Sequence, residues 1–331
     1  PFIEREEDPA TSASSVARAR AIATALDVPF HVLDLEARFY QDVVTPFIAA
    51  YAQGRTPNPC VTCNPRFKFE ALLEVADRLG AQWIATGHYA RVSRGGVQHT
   101  PDGPSHLLRG CNPAKDQSYV LYRLTQRHLQ RLLLPLGTVE DKAEVWDTAR
   151  RLGFPIAHDA ESQDLCFLRG GDYRILLRHY APDSLKPGPI LDEAGHKLGE
   201  HQGLPAYTIG QRHGLGIAAP QRLYVLRRDP SRNALIVGPR ERLARTSCQL
   251  EAVTFTVAPP DTPVFTAQGR IRYHAPLVGI EVRGDETLFA EGLPTEAEGV
   301  GQETSPNTNK WVTTPNESKW ETSPNTNTWV T

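Results

Sequence analysis

The sequence predicts an α/β protein built in series: a parallel sheet flanked by helices, then a small mixed domain, then an all-β piece. Three observations predict it. Helical and strand-like segments alternate between residues 14 and 152, the pattern of a parallel sheet whose connections are helices. After Cys166 that alternation gives way to hairpin-like pieces punctuated by Pro187-Gly188-Pro189 and Asp229-Pro230. From Cys248 onward the apolar runs are short, with turns at Pro259-Pro260 and Gly284-Asp285.

The elements follow in order. Residues 14–26 are Ala/Arg-rich with helical periodicity behind a Ser-containing cap region, and 29–35 alternate like a strand. Residues 36–53 form a second amphipathic helix, and Gly54 opens a Pro-punctuated loop holding Cys60 and Cys63. Residues 67–79 are helical and stop at Gly80; 82–86 make a short apolar strand ending at Gly87-His88-Tyr89. Reactive groups in such sheets lie on loops at the carboxyl ends of strands, where both the cysteine loop and Gly87-His88 can sit. Helices are expected at 115–124, 138–152 and 170–180, hairpins around 192–195 and across 224–237.

The totals bound the function. A chain of 331 residues with 40% hydrophobic and 22% charged residues has ordinary soluble composition and room for two or three domains. No stretch approaches the roughly 18 apolar residues of a membrane span, and Pro1-Phe2-Ile3-Glu4 is no signal peptide, so no membrane partner is expected. Five cysteines (Cys60, Cys63, Cys111, Cys166, Cys248) are too few and odd in number for a disulfide framework. They point to a reducing compartment, the cytoplasm. A net charge of −2 does not advertise a nucleic-acid binder, yet Arg222, Arg227, Arg228, Arg232, Arg240, Arg242 and Arg245 crowd one stretch that can contact phosphates or serve as a solvated face.

The ends are unusual. The chain holds no methionine and starts on proline, so the natural start is expected upstream. From about Gly301 a polar Thr/Pro/Asn repeat takes over, with Trp311, Trp320 and Trp329 nine residues apart. Such a composition cannot bury a core and is expected to be disordered. Asn316-Glu317-Ser318 fits a glycosylation acceptor, which means nothing without secretion.

Cys60-x-x-Cys63 has three chemical readings. Half a zinc site needs two more ligands, and no second Cys pair or His cluster follows. A thioredoxin-type redox pair opens a helix after a strand, whereas Pro57 and Pro59 place these cysteines in a loop. In the third reading Cys63 is a reactive thiol that meets Cys166, with Cys60 its neighbour. Spacing alone does not choose among them. Cys111 and Cys248 lie in no motif and read as packing cysteines, and the glycines of 210–216 lack the βαβ frame of a nucleotide loop.

The surrounding motifs do choose. Thr56-Pro57-Asn58-Pro59-Cys60-Val61-Thr62-Cys63-Asn64, Gly87-His88-Tyr89-Ala90-Arg91, Lys115-Asp116-Gln117-Ser118-Tyr119 and Ser162-Gln163-Asp164-Leu165-Cys166-Phe167 occur in this order. Gly203-Leu204-Pro205, Tyr207-Thr208-Ile209-Gly210-Gln211-Arg212, Gly214-Leu215-Gly216 and Arg272-Tyr273 follow. Over residues 10 to 285 or so, the chain resembles the tRNA-specific 2-thiouridylases, which place sulfur on the wobble uridine of tRNA.

That resemblance implies an adenylating PP-loop domain, Rossmann-like, over 1–168. A central tRNA-contacting domain over 169–245, a partial β-barrel over 246–297 and a low-complexity tail over 298–331 complete the expected organisation. It implies Cys166 as persulfide carrier, Cys63 as the partner nucleophile able to form a disulfide with it, and Asn58, Pro59 and Cys60 as the loop meeting the target base. Gly87 matches an ATP-contacting glycine; His88, Lys115, Asp116, Gln117, Arg272 and Tyr273 match tRNA-contacting positions. The implied cofactors are ATP with Mg2+ and persulfide sulfur from a cysteine desulfurase or sulfur-relay protein; the implied partners are that donor and tRNA, with the enzyme a monomer and no resident metal.

The chemistry is physically sensible. A uracil C2 carbonyl is a poor electrophile, so its oxygen is first adenylated, and a persulfide or released sulfide then attacks C2. Bases undergoing such chemistry leave their stack for a pocket, and RNA loops present them readily.

The chain departs from the family pattern in three places. A Ser-Gly-Gly-Val-Asp-Ser-like phosphate loop and its strand are absent, so both the fold and the ATP site are expected to be incomplete, the chain inactive in adenylation, and apolar edges exposed. The last barrel strands are replaced by the repeat, and Cys60 stands where some relatives carry aspartate. The competing functions are a non-catalytic tRNA-binding module, which would show no special reactivity at Cys166, a zinc or redox protein using the Cys60/Cys63 pair, and an adenylating sulfurtransferase for another base.

Overall fold

The computed structural model describes residues 9–94, 103–154, 165–168, 172–250, 253–257, 260, 262–271, 275–284, 311–315, 320–321 and 329–330. The chain divides into two compact units, residues 1–46 with 59–179, and residues 47–58 with 180–331. Arg272, Tyr273, residues 162–164 and the Asn316-Glu317-Ser318 acceptor lie outside the described residues.

In the first unit, α1 (Pro9–Ala25) occupies the predicted first helix. The segment 29–35, expected as a strand, has no ladder partner among the described residues and stays irregular, with Val32 and Leu33 exposed. Alternation alone does not make a strand without a neighbouring edge. The next helical run comprises α2 (Glu36–Phe39), a π-helical stretch (Tyr40–Val44) and α3 (Thr45–Ala52), whose residues from Phe47 belong to the second unit.

The cysteine segment departs most from expectation. Rather than a loop, residues 59–78 form one helical run: α4 (Pro59–Cys63), a π-helical stretch (Asn64–Phe69) and α5 (Glu70–Arg78). Pro59 starts it, where the missing N–H costs nothing. Pro65 falls inside, and a proline there lacks one ladder donor and crowds the carbonyl four residues back; widening to i→i+5 bonding accommodates both. Gly80, at φ 65°, ends the run, with Ala81 N–H donating to Ala76 O at 2.8 Å.

Beyond it, β1 (Ile84–Ala85) pairs in parallel with β4 (Leu132–Leu133), Ile84 opposite Leu132. Between them β2 (Ala90–Ser93) and β3 (His106–Arg109) form an antiparallel ribbon, and α6 (Gln126–Leu129) leads into β4. The helix expected at 115–124 is only a 3-10 turn (Ser118–Val120), because Asp116 folds back on its own loop. The unit continues with α7 (Lys142–Arg151), capped by Asp141 accepting from Ala143 N–H at 2.9 Å, and α8 (Tyr173–Tyr180). Phe69, Leu73, Ile84, Val120, Leu121, Leu124, Leu129 and Leu132 form its core, so the helical run bearing the cysteines is anchored in the same cluster as the parallel strands.

In the second unit, β5 (Gly188–Leu191) and β6 (Lys197–His201) make the hairpin expected around 192–195, and β7 (Tyr224–Asp229) and β8 (Ala234–Gly238) the one turning at Asp229-Pro230. Their order is β6-β5-β8-β7, with β5 and β8 parallel. Ile190, Tyr207, Ile209, Val225, Leu235 and Val237 fill the core. After β9 (Ala244–Arg245) and β10 (Cys248–Leu250), β11 (Val264–Arg270) pairs antiparallel with β12 (Val278–Gly284).

The Trp repeat, expected to be without structure, supplies three strands: β13 (Trp311–Pro315) pairs with β10 and β12, β14 (Trp320–Glu321) with β9, and β15 (Trp329–Val330) with β11. Trp, Val and Thr suit a pleated edge, and β10, β11 and β12 offer unpaired backbone groups to it. The overall polarity of the repeat masked those local preferences.

Candidate active site

The site grows out of the helical run 59–78 and the loop after β1. Cys60 lies in the first turn of α4 and Cys63 at its end, both half-buried; Cys166 is exposed in the described turn 165–168. None of the three is in a disulfide in this structure. Burial pushes the Cys63 thiol up to about 11, with Lys68 pulling it down and Cys166 and Cys60 adding to the rise. Cys60 is likewise raised, first by burial and then by Cys166, again opposed by Lys68. The three sulfurs therefore lie within one another's electrostatic reach.

The sequence reading placed this pair in a loop; the structure puts it at the start of a helix, which removes one objection to a redox pair. No strand leads into α4, however, and both thiols are raised by burial where a redox pair draws a lowered thiol from its helix N-terminus. The zinc reading needs two further ligands, and among the described residues no group of three His, Cys, Asp or Glu is arranged for a metal.

Aromatic contacts tie the Cys166 turn to the cysteine helix. The Phe167 ring meets Phe39 edge-on at 5.8 Å, and Phe39 meets Phe67 at 5.2 Å. Leu168 is buried beside this turn. On the helix, buried Asn64 donates through Nδ2 to the Val120 carbonyl at 3.0 Å, and Phe69 is fully buried.

Gly87 and His88 follow β1 at its carboxyl end, as expected. Gly87 is exposed, and a Cβ there would make ordinary van der Waals contact with the Leu136 Cδ1 methyl at 3.7 Å, so packing does not require glycine at this position. The His88 ring stacks on Phe69 at 5.8 Å and its Nδ1 lies 2.8 Å from Thr86 Oγ1. Burial, reinforced by Lys68, drives its pKa down to about 4. His88 is therefore a neutral imidazole at physiological pH.

The Lys115–Asp116–Gln117 segment docks onto the same loop. Gln117 accepts from Tyr89 N–H through Oε1 at 3.0 Å, and its own N–H donates to Tyr89 O at 2.8 Å. Asp116 is fully buried; its carboxylate accepts from Gly110 N–H at 2.9 Å, Ser118 N–H at 3.2 Å and Ser118 Oγ at 3.0 Å, with Arg109 Nε at 3.4 Å. The loop thus wraps a buried carboxylate, and Gln117 ties it to Tyr89, the residue after His88. Asn58 directly precedes Pro59, the first residue of α4.

In the second unit the Arg-rich stretch is partly committed internally. Arg227 pairs with Asp229 at 3.2 Å, Arg242 with Glu193 at 2.9 Å, and Arg228 donates to Tyr207 O at 3.3 Å. Arg222 and Arg232 are exposed and make no ion pair among the described residues. Sequence reasoning missed Lys68, Asn64, Thr86 and the Phe39–Phe67–Phe167 contacts. An apolar helical stripe conceals such roles, since its residues read simply as core.

Comparison with known proteins fits this geometry. A family model described as "tRNA methyl transferase HUP domain" matches residues 2–170, and one described as "tRNA methyl transferase PRC-barrel domain" matches residues 174–239. The fold is accordingly a Rossmann-like HUP domain followed by a PRC-barrel domain, whose strands do not close into a barrel among the described residues. The tRNA-specific 2-thiouridylase MnmA of Roseiflexus castenholzii is 47% identical over 275 residues, covering 80% of this chain and 74% of that relative. The proteins of the same name from Magnetococcus marinus and Moorella thermoacetica are each 46% identical over 80% of this chain, which covers 72% and 73% of their lengths. With close to half of its residues shared across four-fifths of its length, this chain belongs to the tRNA-specific 2-thiouridylase family.

Proposed function

We propose that this protein transfers sulfur to C2 of the wobble uridine of tRNA, with Cys166 carrying the persulfide and Cys63 as its partner thiol. The observation that supports this reading is the aromatic contact of Phe167 through Phe39 to Phe67, which links the Cys166 turn to the helical run bearing Cys60 and Cys63, with the electrostatic influence of Cys166 felt by both thiols. Exposed Cys166 suits a thiol that receives sulfur from a donor protein, a desulfurase or sulfur relay. Half-buried Cys63 suits one that acts inside the site.

In the sulfur step Cys63 loses its proton to solvent and its thiolate attacks Sγ of the Cys166 persulfide. The bond between that Sγ and the outer sulfur breaks, the outer sulfur leaves with the electron pair as hydrosulfide, and a Cys63–Cys166 disulfide remains. Electrons balance: the persulfide's outer sulfur is reduced to sulfide as Cys63 is oxidised, and Cys166 Sγ keeps the oxidation level it had in the persulfide. A dithiol reductant restores both thiols before the next cycle.

Gly87, exposed at the carboxyl end of β1, would lie against the nucleotide. ATP, when bound, supplies the adenylyl group that makes the uridine C2 oxygen a leaving group. Mg2+ would come with the nucleotide's phosphates. Asn58, Pro59 and Cys60 flank the target base at the entrance to α4. Neutral His88 offers stacking and a hydrogen bond to RNA without charge, Lys115 offers a phosphate contact, and Asp116 holds the loop that presents Lys115 and Gln117. Arg272 and Tyr273 complete the proposed tRNA contacts.

Titrating tRNA binding with salt tests the reading. Affinity should fall steeply between about 50 and 200 mM salt, and Lys115→Ala should reduce the log–log slope by about 1. A flat salt response would refute tRNA as the substrate.

A further inference from the structure

Lys68 is a charged residue at the centre of the site for which neither the sequence motifs nor the sulfur step accounts. It lies in the π-helical stretch Asn64–Phe69 that begins immediately after Cys63. An i→i+5 step separates Lys68 from Cys63, and i→i+5 is the hydrogen-bonding step of a π-helix, so the two share a face about one turn apart. Both flanks of Lys68 are fixed. Asn64 and Pro65 are buried on one side, with Asn64 bonded to the Val120 carbonyl at 3.0 Å; Phe69 is fully buried on the other. The Arg38 guanidinium lies 6.0 Å from the Phe67 ring centroid, bracing the residue before it. Lys68 itself is exposed.

The positive charge of Lys68 acts on the sulfurs. Cys60, Cys63 and His88 all feel its positive charge. The other titratable groups facing Cys63 are Cys60 and Cys166. From α2, Arg38 is occupied by Asp42 at 3.5 Å and Glu74 at 3.2 Å. Among the described residues Lys68 has no carboxylate within ion-pair distance. An ammonium carried on a backbone held on both flanks, one helical turn from the half-buried Cys63 thiol, is a device for stabilising anionic sulfur.

We propose that Lys68 is a positioning residue for sulfur transfer, its ammonium stabilising the thiolate of Cys63 so that this buried sulfur can attack the Cys166 persulfide. The proton of Cys63 passes to solvent. The same charge repels a proton from His88, so one ammonium favours an anionic sulfur and a neutral imidazole together. The proposal rests on the sulfur-transfer reading for its purpose but not for its test.

The test is site-resolved alkylation of the whole chain by peptide mass mapping, with Cys111 as internal control. Parent, Lys68→Met and Lys68→Arg are each treated with neutral iodoacetamide and with anionic iodoacetate between about pH 7 and pH 10. Lys68→Met should slow iodoacetamide reaction at Cys63 by about three- to tenfold and cut the iodoacetate-to-iodoacetamide ratio there, with Cys111 unchanged; Lys68→Arg should track the parent. The reagent ratio reports local positive potential, which a merely structural lysine would not govern. Should Lys68→Met fail to fold, the parent alone decides: raising salt to about 1 M should lower that ratio at Cys63 and not at Cys111. An unchanged ratio in Lys68→Met, or one insensitive to salt in the parent, overturns the proposal. Either result leaves the sulfur-transfer reading standing, whereas loss of persulfide chemistry with the alkylation effect intact would count against that reading alone.

Discussion

His88 should remain neutral well below the pH at which a free histidine charges, and its neutrality should appear in the stability of the fold. An unfolded histidine binds its proton near pH 6.5, while burial and Lys68 hold folded His88 unprotonated to about pH 4. Between these values the unfolded chain binds more protons. Stability therefore falls as pH drops through the window and is fully present above about pH 6.5. A gap of roughly 2.5 units corresponds to at most about 3 kcal/mol, and partial exposure of the ring brings the expected loss to about 1–2 kcal/mol. His88→Phe removes the titration while keeping an aromatic ring against Phe69. Denaturant melts of parent and variant, taken at intervals from about pH 4 to pH 7.5, should give curves that diverge as pH falls, the parent losing about 1–2 kcal/mol more than the variant. The His88 ring signal followed by NMR should titrate near pH 4. Parallel stability curves, or a His88 midpoint at pH 6.5 or above, would refute the burial and charge assignment.

Other consequences follow from the loops and helices that frame the site. Asp116→Ala should cost about 2–4 kcal/mol in denaturant unfolding, because the Gly110 and Ser118 N–H groups and the Ser118 hydroxyl lose a buried acceptor; a loss under about 0.5 kcal/mol would show the loop holds without it. Asn64→Ala should cost about 1–3 kcal/mol by orphaning the Val120 carbonyl, and hydrogen exchange around 59–69 should quicken; unchanged exchange would contradict the anchoring assigned to Asn64. Gly137→Ala should destabilise the protein severely, by more than about 3 kcal/mol, since a Cβ there would collide with the Ala90 carbonyl backbone. A variant melting like the parent would show that the backbone at Gly137 yields readily.

What the sequence made legible was of two kinds. Caps, stops and hairpin turns carry their own chemistry: Gly80 ends its helix, Asp229-Pro230 makes its turn, and Gly87-His88 stands at the carboxyl end of a strand, each as residue type alone predicts. Order of motifs brought Cys63 and Cys166 together on paper, and their mutual electrostatic influence follows. Prolines misled in one place. Pro57 and Pro59 suggested a loop, but Pro59 starts the helix, and further along a π-helical stretch absorbs Pro65. The segment 29–35 alternates correctly and still lacks a partner edge, while the Thr/Trp repeat found partners that its composition did not advertise. Lys68 was invisible for a different reason: nothing in a single lysine's identity says that a π-helical stretch will set it one turn from Cys63.

The central claim is that Cys166 and Cys63 act as a sulfur-carrying pair. It is tested most directly by treating the folded chain with a persulfide donor and mapping cysteine states by peptide mass. Added sulfur on Cys166, giving way to a Cys63–Cys166 disulfide that Cys63→Ser abolishes, is the predicted result. A Cys60–Cys63 disulfide with Cys166 unmodified would contradict it and return the pair to redox or metal chemistry.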